Sequence, residues 1–313
     1  MKSLSYTRST ALTASIQQLD ELNKQLLLIP LAPPVELQLQ WESGTQKIQY
    51  LLALAGKIVS PVQISSFLLH TDTNNPTPFR SEIGSYRSAL DYLYHHWLVN
   101  PKVIEPSDLL EFYQTIFPKE TLIGDEAELR ASLQYIQINP EHPIIQAALA
   151  QILVLSLSPF SAYNEQFSHL VFLLFMYKFG LDLRRLPVYE EQYVIDLTNY
   201  KNMILQSNRL DNVTPWLEYV CGRVIIAVQK TVNIVQQQKN NLTRSNNILF
   251  TLNDRQQLAM NLFNAPGAKV SNRMLQKKFK VSQITASRDL AKLADSGLIF
   301  AVGKGRSTYY TRV

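Results

Sequence analysis

The sequence predicts a mainly α-helical protein in which a large helical body is followed by a small module of three short helices and a β-hairpin. Three observations carry this expectation. Apolar residues recur at the three- and four-residue spacing of a buried helix face through most of the chain. Residues 251–313 instead break into short stretches headed by Asn or Ser, and end on two alternating segments around Gly303-Lys304-Gly305-Arg306. Charge divides at the same place. Residues 251–313 hold eleven Lys or Arg against three Asp, a net of +8, so the remaining 250 residues carry −3 of the overall +5.

Taken in order, residues 12–28 have helical periodicity and run into Leu26-Leu27-Leu28-Ile29-Pro30. Pro30, Pro33 and Pro34 interrupt the chain and set off residues 1–35 as an N-terminal helical segment. The body is expected over residues 36–239. Glu36 to Ile58 is helical, with Leu51, Leu52 and Leu54 apolar. Ser81 to Leu98 places Ile83, Tyr86, Leu90, Leu93 and Trp97 on one side. Ser107 to Phe117 is headed by Ser107 as an N-cap. His142 to Leu157 and Gln166 to Phe179 form a hairpin of two apolar helices, and Gly180 stops the second. Thr214-Pro215 starts a last long helix that fades into Gln236-Gln237-Gln238-Lys239-Asn240-Asn241, with residues 240–250 read as a linker.

In the terminal module Asn253, Ser271 and Ser282 are the expected N-caps of three helices. On a helical wheel Ala286, Leu290 and Leu293 share the core face of the third helix. The opposite face carries Ile284, Ser287, Arg288 and Ala291, with Gln283 and Lys292 at its margins. Lys304 and Arg306 stand at the hairpin tip, where Gly303 and Gly305 permit close backbone approach.

Composition excludes several classes. At 313 residues and 46% hydrophobic content the chain can build a substantial core. The first residues lack the apolar run of a signal peptide, and Phe167 to Phe179 is too short to span a bilayer. Cys221 is the only cysteine, which leaves no internal disulfide and no thiolate metal site. A cytoplasmic protein that contacts no membrane is expected, with no cofactor and no metal.

The run His142-Pro143-Ile-Ile-Gln-Ala-Ala-Leu-Ala-Gln, followed by Ser158-Pro-Phe-Ser-Ala-Tyr-Asn-Glu-Gln-Phe-Ser-His169, resembles the Fic family, whose motif reads HPFxDGNGRxxR after a helix opening HPxxxAAxAH. The resemblance spans about Gln40 to Lys239. Glu82, Tyr86, Ala89 and Leu90 match a family helix, Ser65-Ser66 the start of its inhibitory-helix pattern, and Val213-Thr-Pro-Trp216 its closing segment. Glu128-Leu129-Arg130 and Tyr135-Ile136 resemble the strand pair that precedes the catalytic helix. The resemblance implies a protein adenylyltransferase scaffold. Pro159, Phe160 and Asn164 match the motif. Ser158 stands for its base His, Ala162 for its metal-binding Asp, Tyr163 and Glu165 for its glycines, and Gln166 and His169 for its arginines. Loss of a general base alone costs about 10²–10⁴-fold, and Ala162 offers no oxygen for Mg²⁺. The expectation is therefore a catalytically inactive member, with no catalytic residues.

The terminal module resembles a winged helix-turn-helix through Val281-Ser282, Ala286, Arg288-Asp289-Leu290, Leu293, Gly297-Leu298-Ile299 and Gly303, Gly305 and Arg306. With its +8 charge this points to DNA as the partner of residues 251–313, read by Gln283, Ile284, Ser287, Arg288, Lys304 and Arg306, in a transcriptional regulator. The body would then dimerise or sense an unidentified small-molecule or protein effector. A protein-interaction pseudoenzyme and a residual adenylyltransferase are the alternatives.

Overall fold

A computed structural model describes residues 4–69, 78–138, 141–249, 252–263, 268–295, 298–303 and 308–311, with the side chains of 239–249 excepted. The chain divides into two compact units, Met1–Val235 and Gln236–Val313. Helix α1 (Thr10–Leu28) starts where the Ser9 hydroxyl accepts from the Leu12 amide, and it buries Leu12, Ile16, Leu19, Leu22 and Leu26 as one stripe. Helix α2 (Pro33–Leu54) opens on its proline, ahead of the expected Glu36, because Pro at the first helical position forfeits no bond. The short α3 (Pro61–Leu68) opens on a Ser60–Gln63 capping box. Helix α4 (Arg80–Trp97) buries Ile83, Tyr86, Ala89, Leu93 and Trp97. Leu90, expected on the same side, is only partly buried.

Two local expectations are corrected. Helix α5 (Pro106–Ile116) is capped by Glu105 and not by Ser107, since Pro106 takes the first helical position and Glu105 forms a reciprocal box with Asp108. The stretch expected as a strand pair is helix α6 (Glu126–Ile138). Its buried Leu129, Ser132, Leu133 and Ile136 follow helical spacing, and the Asp125 carboxylate accepts from the amide of Ala127 at 2.8 Å. Periodicity here outweighs the family pattern.

The centre of the first unit is the hairpin of α7 (Pro143–Leu157) and α8 (Asn164–Lys178), both buried over most of their length. Each fully buried Leu or Phe in such a pair contributes about 1.5–3 kcal/mol. His142 caps α7, accepting from the Ile144 amide and facing Asp20 at 3.1 Å. Gly180, at φ +74°, ends α8 in a Schellman closure: its amide bonds Tyr177 O and the Leu181 amide bonds Met176 O. A 3-10 turn, Leu183–Arg185, follows, then α9 (Glu190–Ile195), α10 (Leu197–Arg209) and α11 (Thr214–Leu249). Trp216 of α11 is fully buried and donates to the α7 carbonyl of Ala148 at 2.9 Å.

Residues 240–249, expected as linker, continue α11. No Gly or Pro occurs between Gly222 and Pro266, and Gln and Lys sustain helix, so nothing local stops it. The unit boundary still falls where the polar run begins, between Val235 and Gln236.

In the second unit α12 (Asp254–Met260), α13 (Asn272–Phe279) and α14 (Gln283–Asp295) precede strands β1 (Phe300–Val302) and β2 (Tyr309–Thr311), which pair antiparallel with Val302 opposite Tyr309. Val270 bridges Tyr310 on the other side of β2. Asn253, Ser271 and Ser282 cap their helices as expected. Its separate core gathers Met260, Phe263, Leu275, Leu290, Leu293 and Ile299.

Candidate functional site

The loop between α7 and α8 holds the motif-like residues. Ser158 ends α7 in the left-handed conformation (φ +44°), its side chain exposed and 3.5 Å from Leu155 O. The segment 121–124 lies antiparallel along the loop. Pro159 O accepts from the amides of Ile123 (2.8 Å) and Gly124 (3.0 Å), and Ser161 N donates to Thr121 O at 3.0 Å. Ser161 Oγ accepts from Thr121 N and donates to Glu120 Oε2. This contact requires glycine: a Cβ on Gly124 would sit 2.9 Å from Pro159 Cα. Neither Gly124 nor the 121–124 segment was singled out from sequence, since a pairing across 35 positions leaves no local signal.

Aromatic side chains fill the space under the loop. Phe160 stacks on Tyr113 with ring centroids 4.0 Å apart, and Tyr113 OH donates to Ala162 O at 2.7 Å. Tyr163, also left-handed (φ +53°), stacks on Phe117 at 4.4 Å with the rings 6° from parallel. Asn164 braces the loop twice, accepting from Phe160 N (3.0 Å) and donating to Phe160 O (2.7 Å).

Helix α8 points its N-terminus at this loop, where backbone amides would ordinarily attract an anion. Glu165 occupies that first turn. Its Oε1 is buried with no hydrogen-bond partner among the described residues, and burial pushes its carboxyl above the usual range, opposed by Lys201. Gln166 is buried. His169, one turn deeper, is 2% exposed, with Gln151 Nε2 3.1 Å from its Nδ1 and Tyr200 OH 3.1 Å from its Nε2. Burial pushes its imidazole down to about 3, so it is neutral across the physiological range. An amide nitrogen can only donate, which makes Nδ1 the acceptor and leaves the proton on Nε2, facing Tyr200. Neither Gln166 nor His169 offers a fixed cation here. Among the described residues no group of three or more His, Cys, Asp or Glu is placed to hold a metal, and no helix is long and apolar enough to cross a membrane.

The second candidate surface is the outer face of α14. Gln283, Ser287 and Arg288 are exposed, and Ile284 is 65% exposed. Asn272 of α13 donates to Ser287 Oγ (2.7 Å) and Gln283 O (3.2 Å), which fixes the spacing of the two helices. Lys304 and Arg306 lie outside the described residues, whereas Gly303 is described and takes a positive φ of 91°. One residue on α14 was missed. Asp289, 3% exposed, accepts from Arg255 Nε (2.7 Å) and Nη2 (3.2 Å) and from Gln256 Nε2 (2.8 Å), joining α12 to α14. Burial raises its carboxyl, but the Arg255 and Gln256 bonds outweigh this and hold it below the usual range. Its signal was available, because Asp289 shares the core side of the wheel with Ala286, Leu290 and Leu293.

Among solved structures the chain is similar to a Fic family protein from Desulfovibrio desulfuricans G20, with TM-score 0.68 and 14% identity over 99% of this chain and 98% of that one. It is also similar to Fic-1 from C. elegans (residues 134–508; TM-score 0.53, 16% identity, 71% of each chain). A Fic domain containing signaling protein from Bacteroides thetaiotaomicron VPI-5482 gives TM-score 0.54 and 15% identity over 72% of this chain and 97% of that one. No protein-family model and no curated protein matches the chain. The fold is that of the Fic proteins, mainly helical with a small C-terminal hairpin.

Proposed function

We propose that this chain is a transcriptional regulator on a Fic fold that has lost nucleotide transfer and acts by binding DNA through its C-terminal unit, read as a winged helix-turn-helix. The carrying observation is the two-sided character of α14. One side is locked by Asp289 and Leu290, and the other offers Gln283, Ile284, Ser287 and Arg288 to solvent in a segment of +8 charge. A guanidinium and an amide at that face suit base edges, and Ile284 suits a thymine methyl. Lys304 and Arg306 would contact phosphate from the hairpin.

Loss of transfer is supported by what replaces the reactive groups. Transfer needs a base, a metal-bridged polyphosphate and cationic clamps. Here Ser158 supplies no base near neutral pH, Ala162 no metal oxygen, Glu165 an acid where phosphate would sit, and His169 a neutral ring already bonded within the core.

Gel-shift titration of the full-length protein against genomic fragments over a salt series tests the reading. The affinity is expected to fall steeply with salt, with a log–log slope of about −0.9 per phosphate neutralised. Absent or salt-insensitive binding rejects it. Ile284, a large apolar side chain left in water, favours a protein-contact reading as the second choice. In that case cross-links from the Ile284 and Arg288 face would lead to protein and not to DNA.

A further inference from the structure

Far in sequence from the motif loop, α2 and α4 border a cleft of about 340 Å³ whose lining includes Trp41, Lys47, Arg87, Tyr94 and Arg185. Arg185 reaches this lining from the 3-10 turn, where Leu183, Arg184 and Arg185 take φ of +49°, +57° and +61° in succession. Three consecutive left-handed residues, none of them glycine, persist only where their surroundings over-determine them, and such strain gathers at ligand clamps. Here the surroundings are explicit. Arg184 forks onto Glu36 with both bonds at 2.8 Å and donates to Leu26 O and Ile29 O. Gln40 Nε2 donates to Arg184 O and Lys47 Nζ to Arg185 O.

The result of that strain is the placement of Arg185. Its guanidinium carbon stands over Tyr94, 3.8 Å from the ring centroid, and the group donates to Gln40 Oε1. Among the described residues no carboxylate lies within ion-pair distance of it. Lys47 is 3% exposed, and its ammonium uses one of three donors on Arg185 O. Across the cleft Arg87 covers Trp41 at 5.4 Å and pairs with Asp91 at 2.9 Å. Three cations and one carboxylate, already engaged, thus line the cleft together with Trp41 and Tyr94. Glu190 and Asp182 also act on Lys47, and Asp182 and Glu36 on Arg185, so the cleft is near charge balance and what it offers an anion is the Arg185 fork, which has no ion-pair partner among the described residues.

We propose that this cleft binds a small organic carboxylate with an aromatic body, its charge held by Arg185 and Lys47 and its body packed among the lining side chains of Trp41, Leu90 and Tyr94. Arg offers the planar fork that matches a carboxylate, and Lys47 the second donor in a poorly solvated wall. Gly44 leaves space in the lining: among the described residues, its own helix backbone aside, a Cβ built there meets only Arg87 Nη1 within 4 Å, at 3.8 Å. This proposal concerns the helical body and stands whether or not the C-terminal unit binds DNA.

Calorimetric titration of the full chain with 2-naphthoate, 2-naphthylmethanol and inorganic phosphate tests it. Saturable one-to-one binding of 2-naphthoate is expected, about tenfold or more tighter than that of the uncharged alcohol, with phosphate a weak competitor. Arg185→Gln should weaken 2-naphthoate about tenfold. Because that variant also disturbs the strained turn, Gly44→Leu is the second arm: it fills the cleft from a helical position, should melt no lower than the parent, and should abolish binding. No binding of 2-naphthoate, equal binding of the alcohol, tighter binding of phosphate, or unchanged binding in a folded Gly44→Leu protein would each overturn the proposal.

Discussion

Arg184 and Glu36 meet in a two-pronged ion pair, Nε to Oε1 and Nη2 to Oε2 both at 2.8 Å, and the same guanidinium caps the last carbonyls of α1 through Leu26 and Ile29. One side chain therefore fixes the end of α1, the first turn of α2 and the left-handed turn it belongs to. Its position holds Glu36 below the usual carboxylate range. Arg184→Ala is expected to cost about 2 kcal/mol or more, the scale of losing charge-assisted bonds, read as a lower midpoint in urea. Arg184→Lys should recover little, because an ammonium cannot form the fork.

His169 makes a pH prediction with a definite sign. Its folded value near 3 lies below the ordinary 6.5, so between those limits the unfolded chain binds the extra proton and acid destabilises the native state. Glu190, pushed up to about 7 by burial, acts in the opposite sense, and a wild-type profile alone would blend the two. His169→Gln keeps a neutral polar group and removes the proton site. As pH falls from 6.5 toward 4.5, the variant should gain on the parent by about 1.4 kcal/mol per unit. A difference that stays flat across that range, measured by urea unfolding, would contradict the buried neutral ring.

Gly124 tests the clamp on the motif loop. An added methyl would stand 2.9 Å from Pro159 Cα, a backbone atom that cannot swing aside. Gly124→Ala should destabilise by about 1–3 kcal/mol, as overpacking does. Gly56→Ala meets nothing within 4 Å among the described residues but carries a positive φ, so its cost should come from backbone strain alone. Thermal melting of the two variants, with amide exchange at Ile123 and Gly124, separates the effects: only Gly124→Ala should accelerate exchange there.

How much of this could be read from the chain depends on the range of the force concerned. The caps at Asn253, Ser271 and Ser282 and the stop at Gly180 are local and were legible. The outward face of α14 was legible from its wheel. Helix α6 shows its helical spacing at Leu129, Leu133 and Ile136, although Glu128-Leu129-Arg130 and Tyr135-Ile136 resemble a strand pair. The turn at Leu183–Arg185 carries no glycine to announce left-handed backbone, and its cause, Arg184 reaching Glu36, spans 148 residues. The Gly124–Pro159 contact was hidden for the same reason. The residue types at the motif positions are legible one by one, but how Tyr163, Glu165 and His169 fill the loop depends on Phe117, Gln151 and Tyr200, which lie elsewhere in the sequence.

For the DNA-binding reading, Ile284 and Arg288 should separate. Both leave α14 outward, and neither supports the core, so Ile284→Ala and Arg288→Ala should leave the melting temperature within about 2 °C. Arg288→Ala should cost about 1–3 kcal/mol of binding if it reads a base, and should relax preference at one position. Ile284→Ala should weaken binding while leaving the salt slope unchanged, since it neutralises no phosphate. Asp289→Asn is the structural control: it disturbs the Arg255 pairing and should lower the melting temperature of the second unit. Affinities unchanged in both surface variants would move the reader away from α14.

Installing chemistry at the motif loop gives the most demanding test of the proposed absence of transfer. A Ser158→His, Ala162→Asp double variant supplies a base and a metal carboxylate by residue type alone. It is expected to remain inactive with labelled nucleotide triphosphate. The N-terminal turn of α8 still holds the Glu165 carboxylate, Tyr163 still stacks on Phe117, and His169 still offers no cation. Adding Tyr163→Gly and Glu165→Gly would clear the space but replaces two residues at the start of a buried helix, one of them left-handed, where glycine relieves strain at Tyr163 and weakens the helix at Glu165. Labelling by the double variant would mean that base and metal alone suffice. Labelling that appears only in the quadruple variant would identify the filled anion site as the barrier that matters.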